Sequence, residues 1–358
     1  VNAIAVREVR VVVIGAGQAG LSAAYFLRRA GLRPGEDFVV LDHSPGPGGA
    51  WQFRWPTMTY SAAHRVHDLP GMPLEGADPD RPAAEVVAGY FAAYERRFDL
   101  RVRRPVDVRA VRPGPDGRLL VETGGAVWSA AALVNATGTW DRPFWPRYPG
   151  QETFRGRQTH TALYRGPAGF AGLRVVVVGG GASGTQHVME LAPVARETTW
   201  VTRTEPVFVP GPFDADRGRA AVALVADRVR RGLPPSSVVS VTGLPLTPRI
   251  EAALASGVLD RRPMFDRITA RGVVWRTPDG DRTLEVDAIV WATGFRAALD
   301  HLAPLRLREP GGGITMDGTR VVREPRVHLV GYGPSASTVG AGRAGRAAVR
   351  EILAGPAA

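Results

Sequence analysis

Two stretches, RVVVIGAGQAG (residues 10–20) and RVVVVGGGASG (residues 174–184), decide the fold. In each, an apolar β-branched run leads straight into G-x-G-x-x-G: residues 11–14 into Gly15, Gly17 and Gly20, and residues 175–178 into Gly179, Gly181 and Gly184. A short, wholly apolar run suits a parallel strand covered on both faces. The first glycine permits a tight turn, the second lets backbone approach a pyrophosphate, and the third lets the following helix pack closely with its N-terminus toward the phosphates. Helix-compatible segments follow both turns (residues 19–30 and 183–191), and then second strands (38–41 and 198–202). The expected fold is therefore α/β with two Rossmann-like dinucleotide-binding domains, and Gln18, Ala19, Ala182 and Ser183 join the glycines as candidate cofactor contacts.

The residue closing each second strand differs in charge. Asp42 stands 22 residues beyond Gly20, near the offset at which a carboxylate accepts from ribose hydroxyls. Arg203 stands 19 residues beyond Gly184, where a guanidinium can hold a 2′-phosphate that a carboxylate would repel. The first turn then suits FAD or NAD and the second prefers NADPH over NADH. The competing readings are a surface turn for Asp42 and an ordinary surface arginine for Arg203.

Composition narrows the chemistry. The 358 residues include no cysteine and no lysine, so all 45 basic residues are arginine. A redox dithiol, a thiolate nucleophile, a Schiff base and a P-loop ammonium are thereby excluded. Redox chemistry must be carried by a cofactor, and two dinucleotides in one chain point to hydride passage from nicotinamide to flavin, which needs the rings within about 3–3.5 Å. The net charge of +11 comes from scattered arginines, not a basic tail or dense patch, so no nucleic-acid partner is expected. The longest apolar stretch, residues 126–136, is interrupted by Ser129 and Asn135, and the opening VNAIAVREVR runs into a strand; a cytoplasmic protein without a membrane span is expected. His64 and His67 lack metal-ligand company and read as loop or pocket residues.

Between the two turns, FRGRQTHTALYR (154–165) carries Phe154, Gly156, His160 and Tyr164. This pattern resembles the identifying F-x-G-x-x-x-H-x-x-x-[Y/F/W] sequence of class B flavoprotein monooxygenases. GPGGAWQFRW (46–55) is similar to the GGxW flavin segment of that family, NATG (135–138) and WATGF (291–295) to its two interdomain crossings, and VGYGPSASTVGAG (330–342) to its C-terminal flavin turn. VTRTEPVFVP (201–210) and the C-terminal turn look nearest to the compact YUCCA-type branch.

The resemblance implies FAD contacts at Gly49, Trp51, Val106, Thr137, Gly138, Gly331 and Tyr332, and NADPH contacts at Thr293 and Gly294. It also implies transfer of one oxygen atom from a C4a-(hydro)peroxyflavin to a small organic substrate, with dioxygen as co-substrate. An asparagine that many flavin-containing monooxygenases place after GGxW is missing from TMTYSAAHRVHDLPG (57–71). Arg54, His160 and Arg296 are the catalytic candidates, with bracing of the interdomain connection as the other role for His160. Two rival readings are an NADPH-dependent flavoprotein reductase without oxygen insertion and a flavoprotein sensor without turnover.

The expected division is an FAD domain in two parts, residues 1–163 and 295–358, flanking an NADPH domain at 164–294 that contains a helical insertion at 211–265. Residues 100–111 and 119–123 are expected as accessory strands.

Overall fold

Strand β1 (Val6–Ile14) alternates its valines between two separate cores. Val11 and Val13 pack with Leu21, Leu27, Phe91 and Ala348, whereas Val12 and Ile14 pack with Leu41, Leu133 and Leu329. Burial on both faces is the reason that every position of the run is apolar. The computed structural model describes residues 6–63, 66–211, 215–235 and 242–355, and within it the chain forms two units.

The first unit comprises residues 1–139, 219–238 and 297–358. Helix α1 (Gln18–Arg29) leads from β1 to β2 (Phe38–Leu41), and α2 (Ala83–Arg97) precedes β3 (Val108–Pro113), β4 (Leu119–Thr123) and β5 (Val127–Asn135). β1 lies between β2 and β5, parallel to both; β3 and β4 extend antiparallel from β5.

The second unit comprises residues 140–218 and 239–296. It contains β6 (Arg157–His160), β7 (Arg174–Val178), α3 (Ala182–Leu191), β8 (Glu197–Thr202) and β9 (Phe208–Val209). After α4 (Ala215–Arg230), most of which groups with the first unit, come β10 (Leu244–Pro245), α5 (Pro248–Ala255), β11 (Arg261–Pro263), β12 (Arg267–Thr269), β13 (Gly272–Thr277), β14 (Gly280–Glu285) and β15 (Ala288–Trp291). Its five-stranded sheet runs β11-β8-β7-β15-β6, parallel throughout. The chain then completes the first sheet with β16 (Met316–Asp317), β17 (Arg320–Val321) and β18 (Val327–Leu329), and ends in α6 (Thr338–Ala354), which packs on α1.

The structure departs from four of the expected bounds. β6 pairs with β15, so the first crossing falls after Thr139 and not after residue 163; the second falls after Arg296 and not after 294. Residues 211–265 are not one helical insertion. Residues 219–238 group with the first unit, where Val229 packs with Leu302, Ile314 and Tyr332, whereas β11 is the edge strand beside β8. Residues 212–214 and 236–241 of that stretch lie outside the described residues, as does His64. Finally, residues 100–107 form no strand. They dock against the end of β2 instead, with Arg103 N–H donating to Val40 O at 2.9 Å and Asp42 N–H to Arg103 O at 3.0 Å.

Candidate functional site

In each of the two larger sheets the turns that follow two neighbouring parallel strands meet at one point, and ligands of open parallel sheets bind outside the strand ends. In the first unit that point lies between β1 and β5. The turn after β1 meets the turn after β5 closely: a Cβ on Gly15, whose φ is +93°, would fall 2.6 Å from Ala136 O. On Gly20 a Cβ would fall 1.9 Å from Gly15 O, so only glycine lets α1 sit this near the strand end. Gly17 differs, since its Cβ would have nothing nearer than Gly49 Cα at 4.0 Å. Its bare backbone faces room for a ligand, as a pyrophosphate cradle requires.

The remaining candidates of this unit gather around the same turn. Gly49 begins a 3₁₀ turn (Gly49–Phe53) that carries Trp51 and brings its own backbone against Gly17. Gly331 lies against Ala19, and Val106 N–H donates to Asp42 O at 2.8 Å. Thr137 donates to Ala298 O at 2.7 Å and accepts from Asn135, whose Oδ1 is 2.6 Å from His301 Nε2, while Ala298 N–H donates to Gly138 O at 3.0 Å. The Tyr332 ring is buried with Val229 and Leu302. The Arg54 guanidinium stands 5.5 Å from the Trp51 ring centre, and burial pulls its pKa down to about 10, leaving it charged at neutral pH.

The second unit repeats the arrangement between β7 and β15. A Cβ on Gly179 would fall 2.2 Å from Ala292 O and one on Gly184 2.1 Å from Gly179 O, whereas Gly181 has nothing within 4 Å. Thr293 donates to Phe144 O, and Gly294 O accepts from Phe144 N–H. His160 is fixed at both nitrogens: Nδ1 accepts from Ala162 N–H at 3.1 Å, so the proton resides on Nε2, 3.1 Å from Gly294 O. Burial lowers its pKa to about 4, and the carbonyl of Gly294 offsets this only in part. A neutral imidazole so committed braces the β15 turn. Arg296 lies over Phe144, 4.3 Å from its ring centre.

Both helices that follow the glycine turns start without a side-chain cap and with no acid in the first turn. Their first N–H groups are thus left for an anion, where the helix dipole adds to the attraction. Gln18 Nε2 donates to His67 O, and its Oε1 is buried with no partner among the described residues, an acceptor that a bound ligand can satisfy. These features fit a dinucleotide on each turn.

At the second-strand ends the charges stand as the sequence places them, with additions that it did not disclose. Arg203 is exposed and forms no ion pair among the described residues. Beside it, the Arg261 guanidinium reaches Thr202 Oγ1 at 3.3 Å. Asp42 is 3% exposed and accepts from Arg104 Nε at 2.6 Å, and Arg104 forks onto Glu95. Arg261 was concealed by the assignment of its strand to an insertion, and Arg104 by a stretch of 62 residues separating it from Asp42. No group of three metal-ligating side chains occurs among the described residues, and no described helix is long and apolar enough to cross a membrane.

Residues 12–212 match the family model for pyridine nucleotide-disulphide oxidoreductases. A flavin-containing monooxygenase from Stenotrophomonas maltophilia is 39% identical and superposes with a TM-score of 0.81, covering 98% of this chain and 100% of that one. A ferredoxin–NADP reductase of Salinispora arenicola is 32% identical over 91% of this chain and 86% of its own. An indole-3-pyruvate monooxygenase, YUCCA1 of Oryza sativa subsp. japonica, is 28% identical over 88% of this chain and 82% of its own. The disulphide chemistry for which that family is named has no counterpart here, because the chain has no cysteine. The chain belongs to the pyridine nucleotide-disulphide oxidoreductase family and, within it, to the class B flavoprotein monooxygenases, oxidoreductases that use FAD and NADPH.

Proposed function

We propose that the protein is an NADPH-consuming monooxygenase that holds FAD on the first glycine turn and NADPH on the second, and passes one atom of dioxygen to a small organic substrate. The single observation that carries this reading is the doubled turn: two uncapped, acid-free helix starts, each behind an open glycine, Gly17 and Gly181. FAD, when bound, supplies the redox centre that accepts hydride from NADPH and activates dioxygen. The chain's own residues bind and orient. The N-terminus of α1 receives the FAD pyrophosphate and Asp42 its ribose. The N-terminus of α3 receives the NADPH pyrophosphate, and Arg203, with Arg261 beside it, its 2′-phosphate. Arg54 and Trp51 place a fixed positive charge and an aromatic wall on the 3₁₀ turn that abuts Gly17, and His160 holds the turn carrying Thr293 and Gly294.

The likeness to a ferredoxin–NADP reductase favours a second reading, in which the reduced flavin passes electrons to an external acceptor. Turnover with NADPH under ¹⁸O₂ and a panel of amines, sulfides and ketones separates them. One labelled atom in an organic product supports the monooxygenase. Hydrogen peroxide alone, with fast reduction of ferredoxin or quinone acceptors, supports the reductase.

A further inference from the structure

Asp42 is held by the chain's own side chains. Its Oδ2 accepts from Arg104 Nε at 2.6 Å, and the two terminal nitrogens of Arg104 donate to Glu95 Oε2 and Oε1, both at 2.7 Å. The three side chains are nearly closed to solvent, at 4% for Asp42, 10% for Arg104 and 13% for Glu95. Backbone pairing sets the spacing: residues 103–106 run alongside the end of β2, with Arg103 N–H on Val40 O, Asp42 N–H on Arg103 O and Val106 N–H on Asp42 O. Glu95, on the last turn of α2, then fixes the guanidinium from the other side.

We propose that Arg104 is a positioning residue for the flavin adenosine, clamping one oxygen of Asp42 so that the other is presented to a ribose hydroxyl. The inference rests on the reading that FAD occupies the first turn with Asp42 at its ribose. An aspartate's last torsion is broad and nearly two-fold, so an unclamped carboxylate sweeps its oxygens through many orientations. A guanidinium that donates through Nε to one carboxylate and through both terminal nitrogens to another has one orientation that satisfies all three bonds. Oδ2 is thereby committed, while among the described residues Oδ1 accepts no hydrogen bond, the His43 ring nitrogen standing 3.9 Å away, beyond hydrogen-bond length. The acceptor is oriented in advance and the ordering cost is met during folding instead of during binding. Glu95 also matters for charge, because it holds the guanidinium in place beside a buried carboxylate that would otherwise lack a cation.

The test uses the full chain stripped of flavin and titrated with FAD and with an FAD analogue bearing 2′-deoxyadenosine, binding being read from flavin fluorescence. Wild-type protein is expected to prefer FAD by about tenfold or more, the worth of a charge-assisted hydrogen bond. In Arg104→Gln the preference should shrink to about threefold or less, and in Glu95→Gln, which keeps the guanidinium but loosens its fork, to an intermediate value. A purely structural role would lower affinity for both flavins alike and leave their ratio intact. An unchanged ratio in whichever variant folds overturns the proposal. A wild-type protein that binds both flavins equally overturns the ribose reading of Asp42 itself, a failure visible before any variant is made.

Discussion

Glycine substitutions separate packing from ligand contact at single residues. Gly20→Ala would drive a methyl to within 1.9 Å of Gly15 O, and Gly184→Ala one to within 2.1 Å of Gly179 O. Each should cost several kcal/mol of stability, seen as a loss of soluble folded protein. Gly17→Ala and Gly181→Ala meet open space, so melting should change by less than about 1 kcal/mol while affinity for FAD (Gly17) or NADPH (Gly181) falls at least about tenfold. At the phosphate end, Arg203→Ala should raise KM for NADPH by about tenfold or more and leave KM for NADH nearly unchanged, with Arg261→Ala acting in the same direction but more weakly. Equal effects on the two nucleotides would show that neither arginine meets the 2′-phosphate. The glycines, Asp42 and Arg203 were legible in the sequence because their spacing from a strand is fixed by chain geometry. Arg104, Glu95 and Arg261 were not, since long-range pairing and not local spacing brings them to the strand ends.

Among the elements, α2 acts as more than a cover for the sheet. Tyr90 and Tyr94 stand one turn apart, and their hydroxyls hold the segment at residues 69–72: Leu69 N–H donates to Tyr90 Oη at 2.7 Å, and Tyr94 Oη donates to Pro70 O at 2.7 Å. Burial raises the pKa of both phenols, Tyr94 the more, so they stay protonated donors across the working range. Tyr90→Phe combined with Tyr94→Phe removes these tethers at about 1 kcal/mol each, and protease cleavage within residues 66–73 should accelerate with little change in the secondary-structure signal. Unaltered cleavage would deny the tether. The apolar strands were readable from their composition: residues 38–41 lie where the sequence puts them, and β1, β7 and β8 merely begin earlier than expected. What the sequence concealed was partnership. β6 looks like part of the first domain until its pairing with β15 is seen, and β11 has only three residues to announce it.

For the whole molecule, two buried histidines and the half-buried His301 set a pH dependence. His160, His301 and His328 are each pushed down to about 4, mainly by burial. In the unfolded chain they titrate near 6.5, so between pH 6.5 and 4 unfolding takes up as many as three protons and stability falls as the pH falls. Each contributes up to about 1.4 kcal/mol per pH unit in that window and nothing above it. Urea midpoints should therefore drop steeply below pH 6.5; a flat profile down to pH 4 would mean the imidazoles are charged in the folded protein. In the proposed function, activity at this scale rests on two turns of the same design with opposite charges at their second-strand ends. That claim is tested most directly by anaerobic titration of the FAD-loaded protein with NADPH, following flavin absorbance. The account predicts bleaching complete at one equivalent of NADPH and much slower with NADH. A protein that retains no flavin, or whose flavin is reduced by dithionite but not by NADPH, would contradict it.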